Sequence, residues 1–258
     1  MNITELAIYK KMFGGGGSVA PVEVTCGGEN VTTDTPIESL LNVNLYLPIA
    51  TSVSFTEYSG LISVHAPNLT QVEAHAFQNC YDLTTVKAPN LVSIGTSSFA
   101  NCRELTTIDL TNVTSIEREA FSGCWALTKL DLPKNTTIGE RAFDYCTALT
   151  SINLPNAESV DAAAFYGCTS FDTLILSNTD TVCNMIVTAI LNTKIATAEG
   201  MPTGEGFIYV PTKFYEDYVA NLAEQASALT GDYATAEYIV RAILRKIEDY
   251  PEICEVAQ

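Results

Sequence analysis

Apolar residues recur through the middle of the chain at a fixed step of 22 residues. Phe77, Phe99, Phe121, Phe143 and Phe165 head one column, and Cys80, Cys102, Cys124, Cys146 and Cys168 follow three residues later in each copy. Leu83, Leu105, Leu127, Leu149 and Phe171 form a third column, and Val86, Ile108, Leu130, Ile152 and Leu174 a fourth. Ala88, Leu110, Leu132, Leu154 and Leu176 make the fifth, and Ile94, Ile116, Ile138 and Val160 the sixth. A fixed period of this size is the mark of a solenoid. Each unit predicts a short alternating strand, a Pro or Asn turn, a second apolar contact and a compact turn carrying Ala-Phe-x-x-Cys. One unit cannot bury its own apolar side. Stacked copies do, because their strands become parallel neighbours about 4.8 Å apart and each column becomes a ladder through the core. Six strands in this register span roughly 24 Å of sheet.

Beyond Leu176 the match decays. Met185 to Leu191 predicts a short helix in a divergent last repeat, and Gly200 to Gly206 a loop leading into a strand, Phe207 to Val210. Pro211 suits a helix start, with Phe214, Tyr215, Tyr218, Val219 and Leu222 on one face and Gly231 as the stop. A second amphipathic helix, about Ala234 to Asp249, presents Ile239, Val240, Ile243, Leu244 and Ile247 before Pro251. The pair reads as a cap or as a face for homo-oligomer formation. The expected fold class is an α/β repeat: a solenoid with a parallel β-sheet, capped by C-terminal helices. Residues 1–20 read as a leader and glycine linker, 21–60 as an N-terminal cap and degenerate first repeat around Leu45 to Pro48, and 61–176 as five repeats. Residues 177–211 follow as a divergent last repeat and final strand, and 212–258 as the helical cap.

The segment IGERAFDYCTALTSINLP, Ile138 to Pro155, resembles the unit of the BspA-type leucine-rich repeats, I-x-x-x-A-F-x-x-C-x-x-L-x-x-I-x-L-P. The resemblance covers Leu61 to Leu176. It implies a leucine-rich repeat solenoid and a general link to cell-surface adhesion and protein binding, with no shared catalytic residues. GEGFIYVP and KIEDYPE resemble the C-terminal endings of leucine-rich repeat proteins from gut Firmicutes and their prophages. MNITELAIYKKMFGGGGS resembles the leader and glycine linker of tail-associated proteins in such phages, which would make Ile3, Leu6, Ile8, Tyr9 and Phe13 a docking peptide.

The cysteine column admits a redox or metal reading, but side chains in an in-register ladder point the same way. Their Cβ atoms then stay about 4.8 Å apart, beyond the roughly 3.5–4.5 Å a disulfide needs. Five reduced, buried thiols packed beside phenylalanines are therefore expected, with Cys26, Cys183 and Cys254 open.

Thirty acidic against 13 basic residues give a net charge of −17, which disfavours nucleic acid. Of these, residues 199–258 hold 11 acidic and 4 basic, so much of the excess lies in the cap and says little about a ligand. No apolar run approaches the ~18 positions of a membrane span, so membrane insertion is not expected, and Met1 to Phe13 lacks the pattern of a secretory signal. The resemblance favours a bacterial cell surface or a phage particle.

His65 and His75 are the only histidines and neither has a convincing Ser or Cys partner by spacing; a Cys–His dyad using Cys80 is outweighed by the core role of that cysteine. Gly14 to Gly17 lacks the ending of a phosphate loop. Five Asn-x-Ser/Thr triplets, at Asn2, Asn30, Asn68, Asn112 and Asn135, fall where repeat turns favour Asn and Thr in any case. No enzyme, cofactor or metal site is expected.

Strand alternation leaves two outward columns as the candidate binding surface. One holds Asn44, Ser63, Thr85, Thr107, Lys129, Ser151, Thr173 and Phe207; the other Tyr46, His65, Lys87, Asp109, Asp131, Asn153, Ile175 and Tyr209. Lys87 and Lys129 are expected to neutralise Asp109 and Asp131 on neighbouring strands, which argues against a calcium site. Ile175, Phe207 and Tyr209 would form either a hot-spot patch or a surface covered by the C-terminal helices, and cover is favoured because terminal repeats need a cap. The expected partner is a protein or a glycan; the alternative is a phage or prophage structural or receptor-binding protein docked through its leader.

Overall fold

The computed structural model describes residues 23–26, 43–46, 55–178, 180–197, 200, 202–230 and 233–250. The leader, Pro48, Gly231, Pro251 and Cys254 lie outside the described residues, as do Asn2 and Asn30.

Two ribbons of short strands run along a stack of repeats. The back sheet has six parallel strands, Gln71–Val72, Ser93–Ile94, Ser115–Ile116, Thr137–Ile138, Ser159–Val160 and Asn184–Met185. They pair in register, so that Val72, Ile94, Ile116, Ile138, Val160 and Met185 form one buried column. The front sheet comes in two five-stranded segments. The first is Glu23–Cys26, antiparallel to Val43–Tyr46, followed in parallel by Leu61–His65, Thr85–Lys87 and Thr107–Ile108. The second is Lys129–Asp131, Ser151–Asn153, Thr173–Ile175, Phe207–Val210 and Leu244–Lys246, all parallel. The break falls where Ile108 and Leu130 are only partly buried.

Between the sheets runs a stack of phenyl rings. Phe55, Phe77, Phe99, Phe121, Phe143 and Phe165 follow one another at 5.0–5.6 Å between centroids, all within 20° of parallel. Phe171 closes the stack at 4.7 Å from Phe165. Phe55 belongs to an additional N-terminal copy, in which buried Tyr58 takes the cysteine position and buried Leu61 the leucine position. The repeat thus starts one turn earlier than Leu61, where the missing cysteine had hidden it.

Each thiol in the ladder donates to the carbonyl of the phenylalanine 25 residues earlier: Cys80 to Phe55 (3.0 Å), Cys102 to Phe77 (3.1 Å), Cys124 to Phe99 (3.2 Å), Cys146 to Phe121 (3.2 Å) and Cys168 to Phe143 (2.9 Å). These five cysteines and Cys183 are free and buried. Burial pushes the thiols of Cys80 and Cys183 up to about 12, and those of Cys102, Cys124 and Cys146 well above their usual value, which removes the thiolate that redox or nucleophilic chemistry needs.

The turn around each Phe holds two residues at positive φ: His75, Ser97, Glu119, Arg141 and Ala163 before the Ala or Ser, and Asn79, Asn101, Gly123, Tyr145 and Gly167 before the Cys. For a non-glycine residue this costs about 1–2 kcal/mol. It aims the amide at the next repeat, where His75 N donates to Thr96 O at 2.9 Å, Glu119 N to Glu140 O at 2.9 Å and Tyr145 N to Tyr166 O at 2.8 Å.

The last turn is longer. Ser159 pairs with Asn184, a step of 25 in place of 22, Phe165 N donates to Ala189 O, a step of 24 in place of 21, and a 3-10 turn, Val187–Ile190, stands where a short helix was expected. Helix α1, Tyr215–Thr230, covers this end with buried Tyr218, Val219, Leu222, Ala223 and Ala226. Cys183 N donates to Tyr218 Oη at 2.8 Å, and Gln225 Nε2 to Met185 O at 2.9 Å. Helix α2, Tyr233–Ile243, buries Ala236, Ile239, Val240 and Ile243. Of the faces read as a cap or an oligomer surface, Tyr218, Val219, Leu222, Ile239, Val240, Ile243 and Leu244 are buried within the chain, while Phe214, Tyr215 and Ile247 are half-buried.

The expected second helix to Asp249 ends early. Leu244–Lys246 leaves the helix and pairs with Phe207–Val210, setting Leu244 opposite Ile208 and Arg245 opposite Tyr209. Helical periodicity had counted Leu244 and Ile247 as one face with Ile243; the unpaired edge of the last strand offers backbone hydrogen bonds that a helix end lacks. Leu244 is buried either way, and only the strand also satisfies that edge.

Candidate functional site

The front sheet presents the two outward columns in the expected register. Ser63 stands beside Thr85 and Thr85 beside Thr107; Lys129 stands beside Ser151, then Thr173 and Phe207. His65 lies beside Lys87, and Asp131 beside Asn153, Ile175 and Tyr209 in turn. Thr107, Lys87, Lys129 and His65 are exposed, while Thr85, Ser151 and Asn153 are half-buried. The side chain of Asp131 lies outside the described parts. At the N-terminal end Ser63 Oγ donates to Asn44 Oδ1 at 2.5 Å, and the Tyr46 and His65 rings meet at 4.9 Å.

Two expectations for this surface are corrected. Asp109 does not pair with a lysine. It lies just past its strand, where its carboxylate accepts from Thr111 N at 3.1 Å and Thr111 Oγ1 at 2.7 Å, so a local turn takes the charge. Among the described residues Lys87 and Lys129 make no ion pair.

The apolar patch is also not open. Ile175 and Tyr209 are buried (3% and 6% exposed), yet both lie on the outward side of the sheet. The segment after the last strand takes part in this cover: the Tyr250 ring meets Tyr209 edge-on at 5.5 Å, and the Arg245 guanidinium lies 3.9 Å from the centroid of half-buried Phe207. Glu248 fastens this strap by accepting from Thr212 N and Thr212 Oγ1, and those bonds hold its carboxyl below the usual range.

A second exposed cluster flanks the sheet. Tyr81, Arg103 and Trp125 occupy the position after the cysteine in three successive repeats. Backbone bonds from Glu104 N to Tyr81 O (3.3 Å) and Ala126 N to Arg103 O (3.0 Å) keep them in line. The guanidinium sits 4.7 Å from the Tyr81 centroid and 4.5 Å from that of Trp125. These residues carry no periodic mark in the sequence because their column varies in type, continuing as Thr147 and Thr169. The one available signal was that Trp125 is the only tryptophan in the chain.

Among the described residues no three His, Cys, Asp or Glu side chains converge as a metal site, and no helix is long and apolar enough to cross a membrane. His75 sits at a positive-φ turn position and is exposed, while Cys80 is buried with its thiol on the Phe55 carbonyl, so the two do not form a dyad. Of the described Asn-x-Ser/Thr triplets, Asn135 is fully buried and Asn112 donates through Nδ2 to Pro89 O at 2.9 Å.

Residues 50–172 match the BspA type leucine rich repeat region, in six copies. No curated protein matches the chain. Similar folds include a leucine-rich cell surface protein from Faecalibacterium prausnitzii, with 20% identity and TM-score 0.52, covering 75% of this chain and 54% of that one. The pneumococcal vaccine antigen PcpA is 18% identical with TM-score 0.53, covering 78% of this chain and 44% of that one. The leucine-rich repeat protein of T. pallidum is 19% identical with TM-score 0.46, covering 65% and 73%. The chain spans about half the length of the first two structures.

Proposed function

Because residues 50–172 are a BspA-type leucine-rich repeat region, we propose that the chain is a non-enzymatic binding module that presents its solenoid surface to a protein or glycan at a bacterial surface. The observation that carries this reading is the front sheet, where exposed Lys87, Thr107 and Lys129 stand on strands fixed by in-register pairing over a core that is buried except at half-buried Ile108 and Leu130. A rigid scaffold with an open polar face binds without first ordering itself, which preserves affinity. The likeness in fold to a cell surface protein supports the location. The raised cysteine thiols and the separation of His75 from Cys80 support a role without catalysis.

Antibody labelling of intact producing cells, combined with binding of the purified full chain to host cells or matrix, tests this. Surface labelling, and binding reduced in the triple variant His65→Ser, Lys87→Ser, Lys129→Ser, are the expected results. Protein found only in the cytosol, or binding unchanged in the variant, counts against it, and recovery in pelleted phage particles would replace it with a particle role.

A further inference from the structure

The Tyr81, Arg103 and Trp125 stack has a property its neighbours lack. Arginine carries five in-plane N–H donors and two apolar faces. Here aromatic rings of the preceding and following repeats lie against the guanidinium. The chain has 30 acidic residues, including Asp82 and Glu104 beside this column, yet among the described residues none pairs with Arg103 and no acceptor takes its donors. Trp125 and Tyr81 remain 47% and 38% exposed. A cationic fork is thus held in place by its neighbours with its edge open, the geometry that suits bidentate recognition of a planar oxyanion.

We infer that this stack is a binding site for a sugar carboxylate, and that the partner of the module is a glycan containing acidic sugars. The inference rests on the binding-module reading and adds to it a site beside the front sheet and a ligand class. Two features favour a glycan over an acidic peptide. Thr106, exposed three residues along from Arg103, directs its hydroxyl at the Thr84 carbonyl at 3.2 Å, and its oxygen, 3.5 Å from Thr107 Oγ1, keeps a lone pair that can accept from a sugar hydroxyl. The half-exposed rings offer apolar surface to the C–H groups of a pyranose.

Trp125, as the single tryptophan, reports directly on the site. The full chain is titrated with galacturonic acid trimer, the neutral galactose trimer of the same linkage, and an Asp/Glu tripeptide, following tryptophan emission. The expected result is a saturable change with the uronate, at least about tenfold weaker with the neutral trimer and in Arg103→Gln, since a charge-assisted hydrogen bond is lost. Arg103→Lys, which keeps the charge and loses the fork, is also weaker. No saturable response to the uronate, equal affinity for the neutral trimer, preference for the peptide, or an unchanged Arg103→Gln overturns the inference. If Arg103→Gln fails to fold by circular dichroism, Trp125→Phe followed by calorimetry replaces it with the same criteria. Failure here while the full chain still binds cells sinks only this site; loss of all cell binding sinks the module reading.

Discussion

The Cys102 thiol donates to the Phe77 carbonyl, and the same carbonyl accepts the Cys80 amide at 3.1 Å. The carbonyls of Phe55, Phe77, Phe99, Phe121 and Phe143 each accept in this way twice, once from an amide within their own turn and once from the thiol of the next repeat, while Phe165 O, at the end of the ladder, takes the Cys168 amide. The cysteine is chosen for more than its size. Cys124→Ala removes a donor from the buried Phe99 carbonyl and opens a small cavity, and is expected to lower unfolding stability by about 1–2 kcal/mol. Cys124→Ser, which keeps a donor, should recover part of that loss. Urea unfolding of the two variants measures it, and a neutral Cys124→Ala would deny the thiol bond any weight.

Phe121 lies mid-stack, 5.2 Å from Phe99 and 5.4 Å from Phe143. Phe121→Ala should cost about 3–5 kcal/mol, with hydrogen exchange accelerated in the neighbouring repeats on both sides. A loss confined to its own repeat would show that the rings do not act as one column.

Asp144 is nearly buried, with Oδ1 lacking a hydrogen-bond partner. Burial pushes its carboxyl up to about 6, with Arg141 lowering it and Glu119 raising it. Since the folded state holds this proton more tightly than the unfolded one, the group's contribution falls as pH rises from about 4 through 6. Asp144→Asn is therefore expected to be more stable than the parent at pH 7 by roughly 1–3 kcal/mol, with the difference shrinking toward pH 4. Melting both proteins across this range checks it; a constant difference would contradict the titration.

Leu244→Asp places a charge opposite Ile208, inside the last strand pairing. It should raise hydrogen exchange of Phe207 to Val210 and increase dye binding to the uncovered Ile175 and Tyr209 surface. Unchanged exchange would mean the strap contributes nothing to that edge.

The repeat was legible because its core positions are filled by one residue type each: a Phe, a Cys and a Leu at constant spacing leave little freedom for another register. What was hidden is set by backbone geometry and not by residue type. The left-handed position before the Ala or Ser holds His, Ser, Glu, Arg and Ala in successive copies, because stacking bonds impose the conformation whatever the side chain. Leu244 was misassigned to a helix because its apolar character suits either element, and the deciding factor, an unpaired edge 34 residues earlier at Val210, is non-local. Asp109 likewise had a lysine neighbour by register and a threonine two residues along, and the local turn won. On the candidate surface, strand alternation placed the columns correctly, but the Tyr81, Arg103 and Trp125 stack has no shared residue type to mark it.

Thiol counting on the unreduced protein tests the register of the whole stack most directly. Six of the eight cysteines, Cys80, Cys102, Cys124, Cys146, Cys168 and Cys183, are free and buried. The account predicts that these six resist a thiol reagent in the native state and that all six react once the chain is unfolded without reductant. Disulfides among the ladder cysteines, or their rapid labelling in the native protein, would contradict it.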